Sequence, residues 1–222
     1  MRPASVTAVE TLSPHFRLVD LEGDALRDVA WAVGQKVQVA MGSGLTARTY
    51  TPMLWDTDRG ATRILAFSHG DGPGSRWASG LRVDDTCQFF GPRRSLDLAS
   101  LETPVVLFGD ETSFGLGAAL RDSPQGASTT YVFEISDLAE SRPVLKAIGL
   151  SDATLIQRTA DETHLAGAET ELVRLAASGA NFILTGKASS IQHMSRALKA
   201  AGIGSARVKA KAYWTPGKTG LD

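Results

Sequence analysis

The chain has 222 residues, enough for two small domains, and its 43% hydrophobic and 21% charged residues are typical of a globular protein. A formal net charge of −1 gives no bulk attraction for nucleic acid or an anionic membrane, which favours a small-molecule partner. The single cysteine, Cys87, excludes an internal disulfide and a metal cluster built on several cysteines. No segment approaches the ~20 apolar residues that span a bilayer, and residues 1–10 lack the apolar stretch of a secretory signal, so we expect a cytoplasmic protein.

The N-terminal half, from Ser5 to about Leu98, has the pattern of an all-β domain. Short runs such as VTAVETL and KVQVAM alternate apolar with polar residues, and glycine, aspartate and proline separate the runs. A period of two places every second side chain on the same face of a strand. The pattern therefore predicts an antiparallel sheet or barrel.

The segment Arg48-Thr49-Tyr50-Thr51 ends one of these strands, just before Pro52. Strand alternation places Arg48 and Tyr50 on one face. A guanidinium can clamp a phosphate, an aromatic ring can stack on a flat heterocycle, and a threonine hydroxyl can bond to the edge of that heterocycle. These are the requirements of a flavin nucleotide. The alternative is a surface strand with an arginine and a half-buried tyrosine.

A glycine-rich loop, HGDGPGSRWA at residues 69–78, follows the strand TRILAFS. Its glycines allow the backbone to approach a ligand closely, and Pro73 is suited to the first position of a helix. The N–H groups of the first helical turn, near Ser75 and Arg76, would then face an anion. The loop is interpreted as a pyrophosphate cradle; the alternative is a loop that only turns the chain.

From Pro104 onward, apolar runs alternate with longer helix-like segments, which predicts a parallel sheet with helices on both faces. We expect a domain boundary near residues 98–103, with domains at 1–100 and 101–222. The segment GDETSFG, residues 109–115, follows the first strand of this half, where such sheets bind nucleotides. At a later strand end, Lys187 is a plausible anion contact or, alternatively, a solvated lysine.

Two adjacent aromatic residues, Tyr213 and Trp214, end the final predicted strand within KAYWTPGK, residues 211–218. At least one of these rings could cover a ligand shared by the two domains. Alternatively, both rings fill the interface between the domains.

Taken in order, RTYT, HGDGPGSRWA, FGPRRS, GDETSFGLGAAL and KAYWTPGK resemble the siderophore-interacting proteins, a branch of the ferredoxin-reductase-like flavoenzymes. The motifs extend over nearly the whole chain. The resemblance implies a six-stranded antiparallel FAD-binding barrel followed by a parallel-sheet α/β domain of NAD(P)-binding type. It also implies reduction of ferric siderophores to release ferrous iron, with electrons from NAD(P)H or a ferredoxin.

The resemblance also implies roles for individual residues. Arg48 would contact the FAD phosphates, Tyr50 would stack on the isoalloxazine ring, and Thr51 would bond near the reactive nitrogen. The other cofactor contacts that it implies are His69, Asp71, Gly72, Ser75, Trp77, Thr112, Ser113 and Trp214. Because ferric siderophores are often anionic, a basic rim is expected, and the candidates are Arg93, Arg94, Lys211 and Lys218.

The chain departs from the wider superfamily at one motif. A glycine-rich GTGxxP loop is replaced here by GDETSF, which leaves open how, or whether, NAD(P)H binds. The sequence is also compatible with two other functions. One is a flavin or ferredoxin reductase with a different acceptor, and the other is a non-catalytic FAD- or siderophore-binding protein.

Overall fold

A computed structural model describes residues 1–41 and 46–217 and divides the chain into two compact units, residues 1–95 and 96–222. Among its described residues, the N-terminal unit contains one α-helix, α1 (Pro73–Gly80), a short 3-10 helix (Asp24–Leu26) and a sheet of seven strands. The strands are β1 (Arg2–Thr11), β2 (Phe16–Glu22), β3 (Lys36–Ala40), β4 (Ala47–Tyr50), β5 (Pro52–Asp56), β6 (Ala61–Phe67) and β7 (Thr86–Arg93). The predicted start of a helix at Pro73 is confirmed.

The sheet has the order β4-β3-β7-β1-β2-β6-β5, and its neighbouring strands are antiparallel, as predicted. The expected count of six strands is wrong, because the run ARTYTPM divides at Thr51 into β4 and β5. Pro52 lacks a backbone N–H and restricts the residue before it, which favours a break there. Since β4 and β5 form the two edges of the sheet, Thr51 joins them, and the sheet is barrel-like without being closed.

Alternation of burial along the strands builds the core of this unit. In β3, for example, Val37 and Val39 are buried whereas the residues between and beside them are half-buried. Each fully buried aliphatic side chain contributes about 1.5–3 kcal/mol relative to an exposed one. The core includes Ala4, Val6, Val19, Leu21, Leu26, Val37, Val39, Met41, Ile64, Cys87 and Phe89.

The C-terminal unit is a parallel sheet of five strands with intervening helices, as predicted. Its strands are β8 (Val105–Gly109), β9 (Thr129–Ile135), β10 (Thr154–Gln157), β11 (Asn181–Lys187) and β12 (Val208–Trp214). The helices are α2 (Phe114–Arg121), α3 (Leu138–Ala147), α4 (His164–Ala176) and α5 (Ala188–Ala200). Every residue of the central strand β8 is buried, as expected for a strand covered on both faces.

The strand order β10-β9-β8-β11-β12 contains one reversal of direction. From β8 the chain proceeds through β9 to β10 on one side, and it then crosses to β11 and β12 on the other side. The switch point therefore lies between the carboxyl ends of β8 and β11, where open α/β sheets form a ligand crevice. Within the two described ranges, no helix is long and apolar enough to cross a membrane.

Candidate functional site

The strand β4 and the helix α1 bring together the two motifs of the N-terminal unit. A methyl group placed on Gly74 would lie 3.1 Å from Cγ of Arg48, so the arginine side chain passes directly over this glycine. The rings of Tyr50 and Trp77 lie 5.6 Å apart between centroids, with planes tilted by 40°. The sequence separates these pairs by a hairpin and a loop, and the fold makes them neighbours.

Strand alternation places Tyr50 on the more buried face of β4. Thr49 is exposed, whereas Arg48 and Tyr50 are half-buried on the other face of β4. Burial raises the pKa of the Tyr50 phenol above its ordinary value, and the positive charge of Arg48 opposes this only in part. Burial also raises the pKa of the Cys87 thiol to about 11, so this thiol is neutral and unreactive at pH 7.

The N-terminal end of α1 has the features of an anion site. Its N-cap residue, Gly72, has extended backbone, and among the residues described no side chain caps the helix there. The first turn of a helix carries N–H groups without intrahelical partners. A methyl group on Gly70 or Gly72 would meet no atom within 4 Å, so the space over the loop is open to a ligand.

Internal hydrogen bonds fix the loop before α1. The hydroxyl of Ser75 donates to the carbonyl of His69 at 3.2 Å, and Nη1 of Arg76 donates to the carbonyl of Asp71. His69 and Asp71 are exposed, and the His69 ring lies 5.8 Å from that of Phe67. The structure therefore groups Arg48, Tyr50, His69, Asp71, Gly72, Ser75 and Trp77 in one unit, with Ser75 engaged in shaping the loop.

This donor set fits the phosphate and ring portions of FAD. A guanidinium, an open glycine surface and an uncapped helix N-terminus are suited to a pyrophosphate, and Tyr50 and Trp77 offer aromatic faces. The half-buried Thr51 lies where β4 passes into β5. Among the described residues, no group of three or more His, Cys, Asp and Glu side chains could hold a metal ion.

In the C-terminal unit, a polar cluster lies around the switch point. The carboxylate of Asp110 accepts hydrogen bonds from the Thr112 N–H at 2.9 Å and from Nε1 of Trp214 at 2.7 Å, and the Thr112 hydroxyl also donates to it. Oγ1 of Thr185 donates to Oγ of Ser113 at 2.8 Å, which links β11 to the turn after β8. Thr112, Ser113 and Trp214, which were predicted to contact the cofactor, thus hold one another in place through Asp110.

Burial raises the pKa of Asp110 to about 6, although the hydrogen bonds from Thr112 and Trp214 and the charge of Arg158 oppose this. The neighbouring carboxylate of Glu111 raises the pKa further. Asp110 is therefore mostly ionised at pH 7.5 and mostly protonated below pH 5.

We predict that Asp110→Asn flattens the pH dependence of stability. The folded chain binds the Asp110 proton more tightly than the unfolded chain, so the wild-type free energy of unfolding falls as pH rises from 3.8 through about 6. This loss is about 2–3 kcal/mol, and the variant lacks it. Denaturant titrations between pH 4.5 and 8 measure both profiles. If the free energies of unfolding of the variant and the wild type depend on pH in the same way, the group with the raised pKa is not Asp110.

A second layer of buried charge supports this cluster. Arg158 pairs with Glu111 at 3.0 Å, and its guanidinium carbon lies 5.8 Å from the centre of the Trp214 ring. Nε2 of His164 bonds to Glu134 at 2.8 Å, and both side chains are buried. The Thr159 N–H donates to Nδ1 of His164 at 3.1 Å, which places the ring proton of a neutral histidine on Nε2.

No role is predicted from the sequence for Asp110, Glu111, Glu134, Arg158 or His164. Two features of the sequence could have indicated charged partners here. Glu134 interrupts the apolar run of β9, and Arg158 directly follows β10. A charged residue at the carboxyl end of a buried strand indicates a partner at that edge of the sheet. The expectation of a solvated lysine at position 187 is wrong, since Lys187 pairs with Glu162 at 2.5 Å and is 13% exposed. An anion contact at Lys187 stays a prediction.

The predicted acceptor residues lie apart along the chain. Arg93 and Arg94 are exposed at the end of β7, and Lys211 is half-buried within β12. Lys218 lies outside the described residues. A basic rim formed by Arg93, Arg94, Lys211 and Lys218 stays a prediction.

The order and connectivity of the two sheets define a class of protein. The ferredoxin reductase of carbazole 1,9a-dioxygenase has a similar fold, with a TM-score of 0.74 and 14% identity over 96% of this chain and 69% of that chain. The fold is therefore ferredoxin-reductase-like, as predicted. A comparison with curated protein sequences gives no match.

Two siderophore-related structures are also similar in fold. A siderophore utilization protein from T. fusca has a TM-score of 0.76 and 22% identity over 100% of this chain and 95% of that chain. The siderophore-interacting protein SipS from Aeromonas hydrophila has a TM-score of 0.72 and 21% identity over 98% and 93%.

The sequence itself matches two family models. Residues 38–96 match the siderophore-interacting FAD-binding domain, and residues 103–217 match the siderophore-interacting protein family. The second match covers more than half of the chain. The chain belongs to the siderophore-interacting protein family, which confirms the resemblance, and its N-terminal unit contains the family's FAD-binding domain.

Proposed function

We propose that the chain is an FAD-dependent oxidoreductase that reduces ferric siderophores and releases ferrous iron, with NAD(P)H or a ferredoxin as the electron source. The observation that carries the FAD assignment is the approach of Arg48 to Gly74 and of Tyr50 to Trp77 beside an open helix N-terminus. We assign residues 1–100 to cofactor binding and residues 101–222 to the α/β domain. A cytoplasmic location remains a prediction, which the single buried cysteine supports.

The protein's part in this function is to bind and orient. Bound FAD supplies two-electron acceptance and one-electron release, which suits a ferric acceptor. Arg48 and the α1 N-terminus would hold the phosphates, and Tyr50, which stays neutral, would present an aromatic face and a hydroxyl. His69, Asp71, Ser75 and Trp77 would line the rest of the cofactor.

The absorbance spectrum of the purified protein tests this proposal. A flavin spectrum that NAD(P)H or reduced ferredoxin bleaches, and that a ferric siderophore then restores, is the expected result. Ferrous iron would be captured by a chelator that absorbs visible light. Restoration by quinones or free flavin but not by ferric siderophores would indicate a reductase with another acceptor. A protein that takes up no FAD would overturn the proposal.

We expect Gly72→Val to weaken FAD binding more than FMN or riboflavin binding, because of these three flavins FAD alone has a pyrophosphate. Gly72 has ordinary extended backbone and open space around it, so the valine should not disturb the fold. Titration of the apo-protein with each flavin measures the effect. Gly80→Val, at the other end of α1 and also in open space, serves as the control. Equal losses for the three flavins would contradict the pyrophosphate assignment.

If exposed basic residues attract an anionic ferric chelate, Arg94→Glu should slow the reduction of that chelate. The rate of reduction of a neutral chelate should not change. The defect should shrink as salt shortens the Debye length from ~10 Å at 0.1 M to ~3 Å at 1 M. Stopped flow with pre-reduced flavin isolates this step. The control is Arg82→Glu, an exposed residue just before the opposite end of β7. Equal effects of the two variants would remove Arg94 from the rim.

A further inference from the structure

The last strand of the C-terminal unit contains a β-bulge just before Trp214. Gly186 of β11 lies opposite Ala212 of β12. The next residue of β11, Lys187, lies opposite Trp214, so Tyr213 is an extra residue in β12. In a regular strand Trp214 would share the face of Ala212, which packs against the core. Because a bulge bends its strand and re-aims the side chains beside it, the bulge removes Trp214 from this alternation.

The indole ring of Trp214 reaches across the carboxyl ends of the strands. Its Nε1 donates to Asp110, directly after β8, and the guanidinium carbon of Arg158, directly after β10, lies 5.8 Å from the ring centre. In the strand order β10-β9-β8-β11-β12, both partners come from the far side of β11. Open α/β sheets bind ligands at this edge. The half-buried ring of Trp214 is therefore part of the surface that a ligand of this unit would meet.

Two buried acceptors hold the guanidinium of Arg158. Its Nη2 donates to Oε2 of Glu111 at 3.0 Å and to the carbonyl of Glu134 at 3.3 Å. Glu111 is buried, and its other carboxylate oxygen accepts from the Ser136 N–H at 2.5 Å. A guanidinium within ~6 Å of the centre of an indole ring attracts that ring. Arg158 therefore connects a fixed carboxylate to Trp214.

Such an arrangement is more than the filling of space requires. A buried ion pair loses the hydration of both charges, and apolar residues of similar volume often stabilise a fold at least as well. A buried polar network does, however, specify one orientation of the groups that it contacts. The bulge, the bond to Asp110 and the cation of Arg158 all restrict the same side chain, Trp214.

We propose that Arg158 is a positioning residue that fixes the orientation of Trp214, so that the indole ring presents an aromatic face to a flat ligand at the carboxyl edge of the sheet. The inference rests on the proposed function, in which Trp214 is a contact of the flavin. Arg158 acts on the flavin only through that ring. Loss of Arg158 should therefore slow electron transfer by the flavin more than it weakens FAD binding.

NMR relaxation of the indole N–H groups in the isotope-labelled apo-protein tests whether Arg158 fixes the ring. The chain has four tryptophans, and Trp214→Phe identifies the signal of Trp214. Its order parameter should be near the ~0.85 of rigid groups in the wild type and fall toward ~0.6 when Arg158→Met is combined with Glu111→Gln. The combined variant removes both charges, so neither is left buried without its partner. Arg158→Lys keeps the charge but lacks the planar guanidinium, so its order parameter should be intermediate.

Stopped-flow reoxidation of the pre-reduced, FAD-loaded protein by a ferric chelate tests whether the ring matters to the flavin. The combined variant should react about tenfold more slowly than the wild type, less than the ~100-fold loss that a misplacement of 1 Å can cause. In a Trp214→Ala background the same two substitutions should have no further effect, because Arg158 acts through that ring. The control is Arg174→Met with Glu171→Gln, an ion pair on α4 with the same change of charge, which should alter neither measurement.

An unchanged order parameter or rate in the combined variant, or equal losses of rate with and without Trp214, would overturn the inference. Circular dichroism establishes that each variant is folded, and Arg158→Lys, which keeps the ion pair with Glu111, replaces the combined variant if that variant is not. Failure of the proposed function would instead appear as absent FAD or absent reduction of ferric chelates in the wild type, whereas the relaxation measurement needs neither.

Discussion

Replacing Arg48 with alanine is expected to raise the dissociation constant for FAD by one to two decades. The side chain lies over Gly74 in the first turn of α1, where a methyl group on Gly74 would be 3.7 Å from Nε of Arg48, and Nη1 donates to the carbonyl of Ala47 at 2.8 Å. The guanidinium is therefore close to the helix start that would face the phosphates. A charge-assisted hydrogen bond of this kind contributes ~1.5–3 kcal/mol, which gives the expected factor. Titration of the apo-protein with FAD, followed by flavin fluorescence, measures the change.

Two further variants separate this role from a general effect of charge. Arg48→Lys keeps the charge but loses the fork-shaped donor set, so its loss should be intermediate. Arg59→Ala removes an exposed arginine of the same unit, which pairs with Glu22 at 3.4 Å, and should leave FAD affinity unchanged. An Arg48→Ala variant with wild-type affinity would remove Arg48 from the site.

Strand periodicity predicted both sheets because burial in this chain follows local sequence. The alternation in β3 and the unbroken apolar run of β8 are readable without tertiary information. The division of ARTYTPM was harder to foresee. Pro52 indicates a bend, but the sequence does not say that the strands on either side of Thr51 join opposite edges of the sheet.

The polar cluster of the C-terminal unit exceeded what the sequence could predict. GDETSF marks the turn correctly, but the orientation of Asp110 depends on Trp214, which is 104 positions away along the chain. The Glu134–His164 pair likewise depends on how α4 packs beside β9. The environment of Lys187 could not be predicted for the same reason, since its partner Glu162 lies in the loop between β10 and α4. Such long-range pairing is set by topology and leaves no local pattern.

The largest loss of stability is expected from Gly186→Ala. Gly186 has a φ of +100°, which disfavours any side chain, and the added methyl group would lie 2.5 Å from the Asp110 carboxylate. The carboxylate cannot retreat without losing its bonds to Thr112 and Trp214. Backbone strain and overpacking each cost ~1–3 kcal/mol, so we expect about 2–6 kcal/mol in total. Urea unfolding of the C-terminal unit measures the loss.

Gly202→Ala separates the two causes of this loss, because Gly202 also has a positive φ, +81°, but no atom lies within 4 Å of an added methyl group. This variant should lose stability through backbone strain alone, without any loss from overpacking. If overlap with the carboxylate accounts for the difference, then Asp110→Ala should cost less in the Gly186→Ala background than in the wild type, with a coupling free energy of ~1 kcal/mol or more. Equal losses for the two glycine variants, together with additive double-variant effects, would mean that the crevice between β8 and β11 is looser than the contact between Gly186 and Asp110 implies.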